Sequence, residues 1–284
     1  MALGRYVFEG GTAVVTGAAS GIGAALAHEL AERGSNLVLV DRDGPRLAGV
    51  VSSIRAEHPG LEVSSHVVDL SDLDAVRRLG TSLTALPRVT LLINNAGVAL
   101  GGRFDQVTMD EFDWVMRVNF QAPLLLTHLL LPTLKASPGS HLVNVSSLFG
   151  LVAPAGQSAY AASKFALRGF GESLRQELAG EVGVTLVHPG GVRTRIAESA
   201  RVGSGVPAEE YAAELKVWDR LLTIPPDRAA GLVVDAVEHR RPRLLIGWTA
   251  KAPDVLARLA PVGATRVHAA ADRALRRLAA RRTG

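Results

Sequence analysis

Tyr160 and Lys164 stand four residues apart in Tyr160-Ala161-Ala162-Ser163-Lys164, and Ser147 stands thirteen residues before the tyrosine. On a helix that spacing puts the phenol and the amine on one face. A phenol ionises near pH 10 in water, and a neighbouring ammonium favours its anion. Such a pair can take the proton from an alcohol or return it to a ketone. The Ser147 hydroxyl would hold the reacting oxygen by a hydrogen bond. Alone, Tyr-x-x-x-Lys is usually a surface pair on a helix. It gains meaning when a hydride carrier can lie beside it.

The chain supplies a place for one. Thr16-Gly17-Ala18-Ala19-Ser20-Gly21-Ile22-Gly23 follows a buried-strand pattern at 12–16 and opens a helical pattern at 21–33. Gly17 permits a tight turn. Gly21 and Gly23 remove side chains where backbone approaches a diphosphate or a helix packs on a strand. The N–H groups around Ser20 and Ile22, at the positive end of that helix, would hold the phosphates. A merely structural turn is the competing reading, and the strand–turn–helix placement weighs against it.

Asp41 ends the second strand pattern, eighteen residues after Gly23. A carboxylate there accepts both hydroxyls of an adenosine ribose and repels a 2′-phosphate, which favours NAD. Arg42 follows directly and can pair with a 2′-phosphate if Asp41 turns away, so NADP stays open. Asp41-Arg42-Asp43-Gly44 is also good turn sequence. Asp69, after the third strand, either bonds an adenine amino group or starts a helix.

Alternating apolar runs and helical patterns must position these groups. Strand patterns fall at 12–16, 36–40, 61–68, 90–93, 141–145, 184–187 and 243–246. Helical patterns fall at 21–33, 46–54, 71–84 with Ser71 as cap, 158–178 and 227–239. A longer helix is headed by a Thr108-x-x-Glu111 capping box, with Pro123 and Pro132 bending it or marking its end. This alternation predicts an α/β fold, a parallel sheet of about seven strands covered on both faces. Residues 195–225 fit the pattern poorly and read as an insertion beside the site. Leu100, Leu148, Phe149, Leu151 and Val152 line an apolar pocket or fill the core.

With those motifs in order, the chain resembles the short-chain dehydrogenase/reductase family over residues 8–246. The resemblance rests on Thr16–Gly23, Asn94-Asn95-Ala96-Gly97, Asn119, Ser147, Tyr160, Lys164 and Pro189-Gly190-Gly191-Val192-Arg193-Thr194. It implies a Rossmann-type, doubly wound sheet in a domain over 1–250, with a basic helical extension over 251–284. It implies a nicotinamide-dependent oxidoreductase interconverting a secondary alcohol and a ketone, without a metal. It gives Tyr160 the acid/base role and Lys164 the tuning of its pKa and the nicotinamide ribose. Ser147 orients the oxygen, and Asn119 binds a water in a proton relay. Asn95 lies by the adenosine, and Val192 and Thr194 contact the carboxamide and phosphate region. A cofactor-binding sensor on the same fold is the alternative.

Composition narrows the rest. The 284 residues include no cysteine, which excludes disulfides, thiol nucleophiles and cysteine–metal sites. No signal segment or membrane-length apolar run is apparent, so a cytoplasmic protein is expected. The net charge of +4 conceals a skew: residues 240–284 hold 11 Lys/Arg against 2 acids. Beyond Trp248 no aromatic residue is interleaved with its arginines, so that tail lacks the stacking groups of a nucleic-acid binder. It reads as a helix over 264–282 packed on the body, a lid over an apolar substrate, or a peripheral membrane contact. A homodimer or homotetramer is the family expectation.

Overall fold

The computed structural model describes residues 3–196, 200–207, 209 and 222–263. Seven strands form one parallel sheet: β1 (Thr12–Thr16), β2 (Asn36–Asp41), β3 (Val63–Val67), β4 (Val89–Asn94), β6 (His141–Val145), β7 (Gly183–Pro189) and β9 (Arg243–Ile246). The spatial order is β3-β2-β1-β4-β6-β7-β9. Strands β4 and β6 are buried along their whole length, as strands sandwiched between helices should be. Edge strand β3 reads Val-Ser-Ser-His-Val and is largely exposed. This is the Rossmann-type doubly wound arrangement, with its chain reversal between β1 and β4. That reversal opens a crevice at the carboxyl ends of the strands.

Both faces are covered. On one, α1 (Gly21–Glu32) packs against α7 (Pro226–Glu238), burying Leu26, Leu30, Val233 and Val237. On the other, α3 (Leu73–Leu83), α5 (Ala122–Ala136) and α6 (Ser158–Glu177) bury Leu79, Leu126, Leu130 and Leu174.

Local chemistry moved several boundaries. Helix α2 (Gly44–Glu57) starts before the expected 46, because Asp43 caps it through the Arg46 N–H. The cap of α3 is Asp72 rather than Ser71. Asp72 accepts the N–H groups of Asp74 and Ala75, both at 3.0 Å. Ser71 instead gives both its N–H and its hydroxyl to the Asp69 carboxylate, each at 2.8 Å.

The Thr108–Glu111 capping box forms and heads α4 (Met109–Met116). Neither proline ends the helix. The chain passes through a π turn at Arg117–Gln121 into α5, and Pro132 lies inside α5. Pro123 has no N–H to give the Asn119 carbonyl four residues back, which breaks the α ladder there. The Ala122 N–H reaches five residues back, to the Arg117 carbonyl.

The irregular region is partly ordered. Residues Arg201–Val202 (β8) pair in parallel with Leu100–Gly101 (β5), outside the main sheet. Helix α8 (Trp248–Leu259) runs across the expected 250/251 boundary. Its buried Asp254 accepts from both terminal guanidinium nitrogens of Arg243, at 2.9 and 2.5 Å. The helix expected over 264–282 lies outside the described residues. At the amino edge of the sheet, Arg240 donates to the Gly4, Gly139 and Ser140 carbonyls. It also lies over the Tyr6 ring. No described helix is long and apolar enough to cross a membrane.

Candidate active site

The crevice at the carboxyl edge holds two adjoining hollows. The first, a cleft, is lined by Gly17, Ser20, Gly21, Ile22, Asp41, Arg42, Asp69, Asn95, Lys164 and Thr194, among others. The second, an apolar cavity, is lined by Ser147, Leu148, Phe149, Gln157, Tyr160 and Val192, among others. Ile22, Ser146, Thr194 and Ile196 line both, so the hollows are continuous.

The glycine turn is shaped by hard contacts. Gly17 has φ +70°, and a Cβ there would lie 2.8 Å from Ala96 Cα. A Cβ on Gly23 would lie 1.9 Å from the Gly17 carbonyl oxygen. Ser20 occupies the N-cap position of α1 with no side-chain cap bond, so the first-turn N–H groups face the cleft without one. Asn95 braces the turn from below, its amide donating to the Thr16 and Gly17 carbonyls at 2.9 and 3.3 Å. Thr16 Oγ1 in turn accepts the Asn95 and Ala96 N–H groups. Asp41 accepts the Ala19 N–H on one carboxylate oxygen and the Asp43 N–H on the other. It is thus fixed at the strand end, and Arg42, Arg46 and Arg195 share the cleft with it. Sequence reasoning had not drawn in Arg46 or Arg195.

Helix α6 carries the Tyr160–Lys164 pair as the spacing predicted. The Lys164 ammonium lies 5.7 Å from the centre of the Tyr160 ring and donates to the Val145 carbonyl at 3.1 Å. Burial pushes Lys164 down to about 8. Burial also pushes the Tyr160 phenol above its ordinary value, while its hydrogen bond with Ser147 pulls it back. The structure therefore differs from the simple expectation of a phenol lowered by lysine: burial outweighs every lowering influence. Phe149 meets Tyr160 edge-on, with ring centres 6.0 Å apart.

Asn119 is fully buried. Its amide oxygen accepts the Val98 N–H at 2.8 Å, and its nitrogen donates to the Val98 carbonyl and to Ser163 Oγ. It clamps the loop after β4 to α6. A Cβ on Gly97 would lie 3.1 Å from Lys164 Nζ and 3.4 Å from Asn119 Oδ1. That places the two side chains around one glycine.

Two residues read from sequence as structural hold the site from behind. Ser146 Oγ donates to the Lys164 carbonyl at 2.9 Å. His188 Nδ1 lies 3.1 Å from the Ser147 carbonyl, which only accepts, so Nδ1 carries the proton. Burial brings His188 down to about 4, so the ring is neutral. Their signal in the sequence was adjacency to the motifs. Of the expected pocket residues, Leu148 and Phe149 line the cavity, whereas Leu100 and Leu151 are buried.

A family profile described as short chain dehydrogenase matches residues 11–204. The chain is a short-chain dehydrogenase/reductase. The enzyme is an oxidoreductase of that family. It is 41% identical over 257 residues to SadH of Mycobacterium tuberculosis, which carries the name of an oxidoreductase; the match covers 89% of this chain and 91% of SadH. It is 38% identical over 220 residues to the 1-deoxy-11-beta-hydroxypentalenate dehydrogenase of Streptomyces avermitilis, covering 74% and 80% of the two chains. Among solved structures it is similar to a Burkholderia phymatum short-chain dehydrogenase/reductase in complex with NAD. That match has a TM-score of 0.81 and 32% identity, over 89% of this chain and 94% of the other. A short-chain dehydrogenase from Sphingobium yanoikuyae in complex with NADPH matches with a TM-score of 0.73 and 27% identity, over 92% and 96%.

Proposed function

We propose that the enzyme interconverts a secondary alcohol and a ketone on a lipophilic substrate, with NAD as its preferred cofactor. The observation that carries this reading is the junction of the two hollows. The cleft, floored by backbone, meets an apolar cavity where Tyr160 and Ser147 stand side by side. The residues fit a nicotinamide dinucleotide: a side-chain-free glycine turn, a helix N-terminus without a side-chain cap, and Asp41 at the strand end. When bound, the nicotinamide supplies or accepts the hydride. The Burkholderia and Sphingobium structures, with NAD and NADPH, support a nicotinamide cofactor without choosing between the two. Asp41 supports NAD.

The chain's own groups then have these tasks. Gly17, Ser20, Gly21, Ile22 and Gly23 receive the diphosphate on backbone N–H groups, and Asp41 accepts the adenosine ribose hydroxyls. Asp69, oriented by Ser71, lies on the adenine side, and Asn95 keeps the turn in shape. Val192 and Thr194 border the carboxamide end, where the hollows merge. In the reducing direction the phenol of Tyr160, kept protonated by burial, gives its proton to the carbonyl oxygen. Ser147 holds that oxygen. In the oxidising direction Tyr160 receives the proton, and Lys164 stabilises the phenolate. Asn119 fixes the distance between the Val98 loop and α6, so that Lys164 stays beside the ribose. The name of the Streptomyces relative, a dehydrogenase of an 11-beta-hydroxy compound, supports an alcohol as substrate.

Fluorescence titration with NADH and, separately, NADPH tests the cofactor assignment. Tighter NADH binding is expected, and tighter NADPH binding would transfer the recognition to Arg42 and its neighbours. A panel of apolar secondary alcohols with NAD tests the reaction. No turnover on any alcohol or matching ketone, with cofactor bound, would refute it.

A further inference from the structure

We infer that Gln157 recognises a second, neutral hydrogen-bonding group on the substrate. The enzyme then prefers apolar alcohols or ketones that bear another oxygen about one helical turn from the reacting carbon. This rests on the alcohol–ketone reading of Tyr160 and deepens it.

Gln157 is only 6% exposed. Its backbone is committed: it bridges to Gly102, and its carbonyl accepts the Ala161 N–H at 2.8 Å. It sits at the N-cap position of α6, yet its side chain makes no cap bond, and its amide makes no hydrogen bond among the described residues. A ligand that fills the cavity displaces water from this amide, and leaving it unsatisfied then costs roughly 1–3 kcal/mol. Unlike Ser158 Oγ next to it, which is walled off without a partner, the Gln157 amide stays open to the cavity. Gln157 lines the apolar cavity, so that cavity is where a partner must come from.

Position sets the reach. Gln157, Tyr160 and Lys164 follow one another at i, i+3 and i+7, a single stripe along α6. Lys164 lines the cleft, while Tyr160 and Gln157 line the cavity. A substrate whose oxygen meets Tyr160 and whose body extends away from the cleft therefore passes Gln157. Side chains three residues apart on a helix have Cβ atoms about 5–6 Å apart. The described lining of the cavity contains no Lys, Arg, Asp or Glu, which favours a neutral partner over a carboxylate. An amide both donates and accepts, so a hydroxyl, ketone or ester oxygen serves.

The test uses the full-length enzyme with reduced cofactor and two ketones of equal chain length, a simple alkan-2-one and the matching 2,5-dione. The wild type is expected to favour the dione by roughly tenfold in kcat/KM, the size of one recovered hydrogen bond. Gln157→Leu is expected to bring the ratio to about one. Gln157→Met, of similar length, should do the same if the leucine variant folds poorly. An unchanged ratio in the variants, or an equal fall for both ketones, overturns the assignment. If neither ketone turns over, the alcohol–ketone reading fails separately. Calorimetric Kd values for the same pair on the cofactor-loaded protein then decide on the amide alone: a wild-type preference lost in Gln157→Met supports it, and equal ratios reject it.

Discussion

The cleft and the cavity touch, yet they are built on opposite principles. The cleft is made of backbone and of short motifs, its shape set by glycines whose missing Cβ atoms would strike carbonyl oxygen or Cα. Its polar side chains are fixed by local bonds, as Asp41 is by Ala19 and Asp43. The cavity is made of side chains drawn from remote segments: Phe149 after β6, Gln157 at the head of α6, Val192 after β7 and Leu222. A cofactor common to many proteins needs a fixed cradle. A particular substrate needs walls that can vary while the cradle stays.

Exchanging Tyr160 for Phe should separate the two regions most sharply. Turnover is expected to fall by about 10²–10⁴ while NADH binding stays within about twofold. A matching loss of cofactor affinity would mean that Tyr160 belongs to the cradle instead. Next in size is Asp41→Ala, which removes a charged acceptor. NADH affinity should fall roughly 10–100-fold and NADPH should gain in relative terms, read by paired titrations. An unaltered preference would move ribose recognition elsewhere in the cleft.

Acid probes the cavity side, because His188 braces Ser147 whereas the described lining of the cleft holds no histidine. Its folded pKa, about 4, lies below the ordinary value of 6.5. The unfolded chain therefore binds the extra proton between those values. His188 contributes its full stability above about pH 6.5 and loses it as the pH falls toward 4, by about 1.4 kcal/mol per pH unit. His141, at about 3, acts in the same sense. Urea midpoints measured from pH 7 to pH 5 should fall, and His188→Gln should flatten the slope by about one proton. A slope identical in the variant would remove His188 from this account. The smallest effect is expected from Phe149→Ala, which deletes the edge-on contact with Tyr160. The substrate KM should rise about fivefold, near 1 kcal/mol, without change in cofactor Kd.

What could be read from the sequence follows the same division. Gly17–Gly23, Asp41 and the Tyr160–Lys164 pair each lie within a few residues of the element that positions them, so their spacing, read together with the order of the motifs, pointed to them. The sheet was legible because central parallel strands are continuous apolar runs. The π turn was half visible: Pro123 announced a disturbance, but whether a helix bends, ends or widens depends on what packs around it. Ser71 and Asp72 are both good caps, and the choice fell to Asp69, whose carboxylate engaged the serine. The β5–β8 pair escaped notice because two-residue strands carry no periodicity and join segments a hundred residues apart. Gln157 escaped because an unpaired amide is a property of three-dimensional surroundings, which no spacing reveals.

Arg240 fastens the segment around Gly4 to the amino edge of the sheet, while every group assigned to chemistry lies at or beyond the carboxyl edge. Strand β1 spans five residues between them, roughly 16 Å at 3.3 Å per residue. For anyone wishing to immobilise the enzyme, the exposed Arg5 is therefore a natural point of attachment. A bead or electrode joined there sits across the sheet from both hollows.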